Sequence, residues 1–140
     1  MTQENELGEK LSAARDLKTR TKQFALRVIQ VFRALPRDEL ARIIGRQMLR
    51  AGTSVAANYR AACRARSRRE FVAKIGVVLE EADESAFWPE LLVDAGIVAS
   101  SKLGKLIAEA YELVAIFAAS YETAKNGRAR PPAPNGPLTK

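Results

Sequence analysis

Hydrophobic residues recur at spacings of three, four and seven positions in four separate stretches of the chain, which is the period of an amphipathic α-helix. The first stretch begins near Asp16 and ends at Pro36, because the residue before a proline is pushed out of the helical region. Its apolar positions are Leu17, Phe24, Val28, Val31, Phe32 and Leu35. The pattern predicts a first helix between these two limits.

The second and third helices each follow a polar residue that can accept a hydrogen bond from a backbone amide. Asp38 can cap a second helix that continues to about Arg64. The segment Ser67 to Glu70 has the spacing of a capping box. In that motif the serine oxygen accepts from the amide of Glu70, and the Glu70 carboxylate accepts from the serine amide. We therefore expect the third helix to start directly after Ser67.

The third helix contains Pro89, which predicts a kink because proline has no amide proton and crowds the preceding turn. Gly96 is suited to the left-handed position that ends a helix. Ser100 or Ser101 is expected to cap the fourth helix. Four long helices with short connections predict an all-α fold, an antiparallel up-and-down four-helix bundle over residues 16–125.

The segments that flank the bundle are polar. Residues 1–15 are expected to form a frayed or loosely turned N-terminal arm. Residues 126–140 are basic and predict a disordered tail. Its prolines are Pro131, Pro132, Pro134 and Pro137. No apolar run approaches the ~20 residues that span a bilayer, and residues 1–9 do not resemble a secretion leader. These features predict a cytoplasmic protein without a membrane partner.

Charge is distributed unevenly along the chain, whose net charge is +7. Residues 37–75 carry 10 basic and 3 acidic side chains, whereas residues 76–123 carry 2 basic and 9 acidic ones. A compact domain built from these halves has a positive and a negative surface. Such surfaces steer charged partners, so they indicate a binding protein.

The candidate binding residues are arginines of the second helix and of the connection that follows it. Fourteen residues make about four helical turns, so Arg46 and Arg60 share a face. The full candidate set is Arg46, Arg50, Arg60, Arg64, Arg66, Arg68 and Arg69. Guanidinium groups make planar, bidentate contacts with phosphate or carboxylate. The pattern is interpreted as a nucleic-acid backbone site, with a solvated face or acidic residues of a neighbouring subunit as the alternatives.

Catalytic chemistry finds little support in the residue inventory. The chain has no histidine, which removes the commonest general base and metal ligand. Its one thiol, Cys63, is expected to be buried and inert. The sequence therefore predicts no catalytic residues, no metal and no cofactor.

Acidic and aromatic side chains of the third helix have structural interpretations. The acidic residues are Glu80, Glu81, Asp83, Glu84 and Glu90. Glu84 is expected to pair with an arginine of helix two or to bond to Asn58, which is itself expected to be buried and to fix the register of facing helices. The aromatics Tyr59, Phe87, Trp88 and Tyr111 are expected in the core or at an interface.

Three ordered motifs resemble one known family. They are Q-x-x-R-A-x-x-S-x-x-x-N from Gln47 to Asn58, S-x-x-E-F from Ser67 to Phe71, and E-x-D-E-S from Glu81 to Ser85. Together they resemble the four-helix bundle proteins encoded in 23S rRNA intervening sequences. The resemblance covers about residues 17–124, and its signature positions in this chain are Asn58, Ser67, Glu70, Phe71, Asp83 and Glu84.

The resemblance implies properties that the residues alone do not give. It implies an up-down-up-down bundle that often assembles as a homopentamer and has no established enzymatic activity. It also implies similarity to the accessory protein of diversity-generating retroelements, which binds nucleic acid together with a reverse transcriptase. A homo-oligomer, a nucleic acid, and a reverse transcriptase or other protein are therefore the expected partners.

Overall fold

The computed structural model describes residues 2–127, and every regular element in that range is an α-helix. The four helices are α1 (Gln3–Ala34), α2 (Glu39–Ala62), α3 (Arg68–Asp94) and α4 (Ser100–Lys125). Short connections join them, so consecutive helices pack side by side in antiparallel order. The predicted all-α four-helix bundle is confirmed.

The core lies along the inward-facing stripes of the four helices. Its largest fully buried side chains include Phe24, Met48, Ile75, Leu92 and Phe117. Helix α3 packs extensively on both α2 and α4, whereas α1 packs on α2 and touches α4 only lightly. Helix α3 is therefore the most extensively packed helix of the bundle.

Two glycines of α2 allow α1 to approach closely. A Cβ atom added to Gly52 would lie 2.7 Å from Cγ2 of Val28. A Cβ atom added to Gly45 would meet the Leu35 side chain. The two glycines are seven residues apart, so they share one face of α2. Alanine at either position would push α1 and α2 apart or force side chains to move.

The start of α2 and the start of α3 agree with the predicted caps. Asp38 Oδ1 accepts a hydrogen bond from the Ala41 amide at 2.9 Å, and Ser67 Oγ accepts from the Glu70 amide at 3.1 Å. The second half of the capping box differs from the prediction. The Glu70 carboxylate accepts from the Arg66 amide at 3.5 Å rather than from the Ser67 amide.

The junction between α3 and α4 confirms one prediction and corrects another. Gly96 has a φ of +73°, and the Ile97 amide donates to the Leu92 carbonyl at 3.0 Å, which ends α3 as predicted. The serine cap of α4 is wrong. Ala99 has the extended backbone of an N-cap residue and no side-chain bond, so Ser100 already lies in the first helical turn. Pro89 is buried inside a continuous α3, and its kink stays a prediction.

The N-terminal end of α1 extends further than the sequence analysis expects. Thr2 Oγ1 accepts from the Asn5 amide at 3.3 Å, and acidic residues in the first turn favour the helix dipole. Residues 3–15 are therefore helical, although almost all of their side chains are exposed. The predicted tail, residues 126–140, lies outside the described residues apart from Asn126 and Gly127.

Candidate nucleic-acid interface

All seven arginines predicted to bind nucleic acid have exposed side chains. Three lie on α2, two lie in the α2–α3 connection and two lie in the first turn of α3. They are Arg46, Arg50, Arg60, Arg64, Arg66, Arg68 and Arg69. Their contacts divide them into arginines that are paired within the chain and arginines that are not.

Arg50 is paired with two acidic residues of α3. Its Nη1 lies 3.0 Å from Glu81 Oε2, and its Nη2 lies 2.6 Å from Glu84 Oε1. Trp88 Nε1 lies 3.5 Å from the same Glu84 oxygen. The predicted pairing of Glu84 with a helix-two arginine is confirmed. This ion pair fixes Arg50 against α3 and neutralises its charge.

Asn58 does not form the predicted contact with a facing helix. Its side chain is half-buried, and Nδ2 donates to the Ser54 carbonyl of the same helix at 2.9 Å. One hydrogen bond within α2 satisfies the donor. Asn58 therefore contributes to the local structure of α2 and not to the register between helices.

Arg60 and Arg64 line a shallow groove between α2 and α3. The groove has a volume of about 320 Å³, and alanines form the α2 side of its floor. Lys74 of α3 adds a third cation that the sequence analysis did not include. The signal for it was present, because Lys74 follows Glu70 at the i, i+4 spacing that places both on one face of α3.

The connection to α3 carries the remaining arginines. Arg66 Nε lies 3.8 Å from Glu70 Oε2, although the Arg66 side chain is 85% exposed. Arg68 lies beside Gly127 at the end of α4. Within residues 2–127, no ion pair involves Arg46, Arg60, Arg64, Arg68 or Arg69. Five cations are therefore available to an external anion.

The interior next to this groove is apolar and, within residues 2–127, contains no exposed reactive group. Cys63 is fully buried, and burial raises the pKa of its thiol, so the predicted inert cysteine is confirmed. The ring of Tyr59 packs 5.3 Å from that of Phe117. No group of three or more metal-ligating side chains occurs among the described residues.

The predicted aromatics separate into inner and outer residues. Tyr59 is in the core and Trp88 is half-buried, whereas Phe87 and Tyr111 are about half exposed. Phe87 and Tyr111 therefore do not belong to the core. They lie on α3 and α4, apart from the arginines.

The bundle and its motifs agree with a sequence family. The family model described as "23S rRNA-intervening sequence protein" matches residues 15–119. The chain belongs to this family. A solved structure of a protein of unknown function, from the S23 ribosomal protein family of Bacteroides thetaiotaomicron, shares the fold of this intervening-sequence protein. The two sequences are 28% identical, and the match covers 76% of the present chain and 99% of the solved one, with a TM-score of 0.71. No curated protein matches the sequence.

Most signature positions of this intervening-sequence protein have structural roles. Ser67 caps α3, Phe71 is buried in the core, and Glu84 joins α3 to α2. Asp83 is exposed and makes no ion pair among the described residues. The family motifs thus lie on α2, on α3 and at the connection between them, and this connection also carries exposed arginines.

No helix of residues 2–127 is long and apolar enough to cross a bilayer.

Proposed function

We propose that this protein is a non-enzymatic helical bundle that binds the backbone of RNA or DNA through the arginines of α2 and the α2–α3 connection. The observation that carries the proposal is the cluster of exposed cations at one end of the α2–α3 pair. Its unpaired members among the described residues include Arg60, Arg64, Arg68 and Arg69. A nucleic-acid backbone supplies the phosphates that such a cluster fits.

The groove between α2 and α3 favours contacts with phosphates over contacts with bases. Its α2 floor consists of Ala57 and Ala61, so a sugar-phosphate backbone can approach the helix closely. No aromatic side chain lines it. Single-strand binders that recognise bases usually stack them on aromatic rings. We therefore expect binding that depends strongly on salt and weakly on sequence.

The lack of a histidine base and of an exposed thiol supports the non-enzymatic part of the proposal. The chain has no histidine, and its thiol is buried next to Tyr59. The resemblance to the accessory protein of diversity-generating retroelements points to the same function. It also makes a reverse transcriptase or another nucleic-acid enzyme a candidate partner.

A five-residue variant tests the binding site. Replacing Arg60, Arg64, Arg66, Arg68 and Arg69 with glutamine removes five charges and leaves the core intact. Fluorescence anisotropy with labelled RNA and DNA at about 50 mM salt should show strong binding by the wild type and little by the variant. The wild type should lose about 0.7 to 0.9 units of log affinity per unit of log salt for each phosphate contact.

A matched control removes five charges at the opposite end of the bundle. Its substituted residues are Arg27, Arg33, Arg37, Lys102 and Lys105, all of which are exposed. This control has the same net charge as the test variant and should retain most of the affinity. Equal losses in the two variants would show only a general attraction between a basic protein and a polyanion. A wild type with no measurable affinity would remove the proposal.

A second proposal is a homo-oligomer, with a pentameric ring as the expected form, in which the arginines contact acidic residues of a neighbouring subunit. Glu80 and Asp83 support it, because both are exposed and neither is paired within residues 2–127. Glu81 and Glu84 are less suitable, because Arg50 already binds them. Light scattering at tens of micromolar protein separates the proposals. Conversion of the five-arginine variant to monomers would assign those arginines to assembly, and a monomeric wild type would exclude the ring.

A further inference from the structure

A second exposed surface, formed by α3 and α4, has a different chemistry. It consists of Asp83, Phe87 and Glu90 of α3 and Tyr111 of α4, and we name it the acidic aromatic patch. The three α3 residues follow one another at i, i+4 and i+7, so they share one face. Tyr111 Oη donates to Glu90 Oε1 at 2.6 Å, which joins the two helices. The Phe87 side chain is 51% exposed and that of Tyr111 is 48% exposed.

The electrostatics of the patch suit a cationic ligand that also carries apolar groups. The hydrogen bond to Glu90 raises the pKa of Tyr111, and the charge of Asp83 acts in the same direction. Glu90 therefore contacts the exposed phenol, and Asp83 lies two turns away on the same face of α3. Within residues 2–127, neither Asp83 nor Glu90 forms an ion pair. Exposed aromatic rings flanked by free carboxylates are typical of surfaces that bind proline and arginine side chains.

The C-terminal residues have a sequence that matches this chemistry. Residues 128–140 lie outside the described part of the chain and enter here by their sequence alone. They carry no acidic residue. A cation or a proline stands at every third position, and the series is Arg128, Pro131, Pro134, Pro137 and Lys140. A polyproline II helix has three residues per turn, so this spacing would place the whole series on one edge.

The length of the segment is sufficient to reach the patch. Helix α4 ends at Lys125, and Gly127, with a φ of +76°, turns the chain away from the helix axis. Tyr111 lies 14 residues before Lys125, or about 21 Å along the helix. A chain of 13 residues can reach about 40 Å at 3.1 Å per residue, which exceeds this distance.

We propose that the acidic aromatic patch binds the basic, proline-rich segment 128–140 of its own chain. The prolines pack on the rings of Phe87 and Tyr111, and the cationic side chains pair with Asp83 and Glu90. This is the recognition mode in which proline-rich segments bind aromatic-lined grooves. The patch and the segment contain none of the arginines proposed to bind nucleic acid, so this proposal does not depend on that one, whereas Asp83 is shared with the homo-oligomer proposal.

Limited trypsin digestion of the full-length protein tests this assignment. The bond between Arg128 and Ala129 is the reporter, and mass spectrometry follows its cleavage. Binding to the patch should protect the bond, so Phe87→Ala and the double change of Asp83 to Asn and Glu90 to Gln should each accelerate its cleavage severalfold. A third variant with alanine at the prolines of the series leaves every described residue unchanged and should have the same effect.

The control removes two carboxylates far from the patch, by Glu4→Gln with Glu6→Gln in the exposed first turn of α1. It should leave the rate unchanged, and thermal melts should show that every variant remains folded. Equal cleavage rates in the wild type and all patch variants would overturn the proposal. Protection that grows with protein concentration would place the segment on a second copy, which would overturn the assignment to its own chain.

Discussion

Arg50 lies in α2 and Arg64 lies just beyond the end of that helix, and the two arginines have opposite environments. Arg50 is held between Glu81 and Glu84 of α3, whereas Arg64 faces Lys74 across an open groove. The antiparallel register of α2 and α3 sets this difference. It brings the early half of α2 against the acidic stretch of α3 and the late half against the basic one.

The comparison shows that a row of identical side chains on one helix need not be one site. The facing helix decides which of the arginines are neutralised. Within the predicted set, Arg50 forms ion pairs inside the bundle, whereas Arg60 and Arg64 remain available to bind an external anion. The groove beside Arg60 and Arg64 is lined on α3 by Glu70 and Lys74, and neither Arg60 nor Arg64 forms an ion pair within residues 2–127. The charges of the neighbouring helix therefore define such a site as much as the arginines do.

The largest effect should come from releasing Arg50. Changing Glu81 and Glu84 to glutamine frees its guanidinium for a phosphate. We expect affinity for nucleic acid to rise severalfold and the salt dependence to steepen by about 0.7 to 0.9. Changing Glu80 to Gln and Asp94 to Asn removes the same charge without releasing an arginine, because both residues are exposed and form no ion pair within residues 2–127, so the slope should stay constant. Identical slopes in both double variants would contradict the neutralisation of Arg50.

A smaller effect should come from the cap that starts the exposed end of α3. Ser67→Ala removes the acceptor for the Glu70 amide, and the free energy of unfolding should fall by about 1 kcal/mol in denaturant melts. Glu70→Ala should cost less, because the hydrogen bond from the Arg66 amide to its carboxylate is long, at 3.5 Å, and therefore weak. The ordering of the two variants is the informative result, and a reversed ordering would show that the carboxylate holds the connection.

The smallest effect concerns the other paired arginine. The hydrogen bond from Arg20 lowers the pKa of Glu109, whose Oε1 lies 2.7 Å from Arg20 Nη2. A carboxyl with a lowered folded pKa stabilises the protein above its unfolded pKa, and this contribution disappears as pH falls through the folded value. Glu109→Gln should therefore cost about 0.5 kcal/mol at neutral pH, and this difference from the wild type should shrink below about pH 4. Chemical melts at several pH values would measure it.

Residues that act locally could be predicted from the sequence. Asp38, Ser67 and Gly96 each fix a helix end through bonds to residues a few positions away, and all three were placed correctly. Ser100 was not, because Ala99 adopts the extended N-cap backbone and leaves the serine inside the helix. The position of a helix start to within one residue depends on where the backbone changes from extended to helical, and the side chains alone do not determine this position.

Contacts between helices were predictable only in part. The periodicity placed Glu84 against α2, and the expected arginine pairing followed. The choice of Arg50 among the four arginines of that helix depends on the α2–α3 register, which the pattern leaves open. The same limit applies to Asn58, which bonds within its own helix, and to Lys74, which completes the groove from the other side.

Helix α1 is continuous in geometry, but its first turns and its packed turns differ in stability. Between residues 3 and 13 almost every side chain is exposed, and Ala14 is the first buried one. A helix of this length without tertiary contacts is marginal in water, because nucleation is costly and few hydrogen bonds repay it. Deuterium should therefore replace the amide protons of these turns near the helix–coil rate, while the amides around Phe24 and Val28 exchange only on global unfolding. The cooperative unit then begins close to residue 15, where the family match also begins.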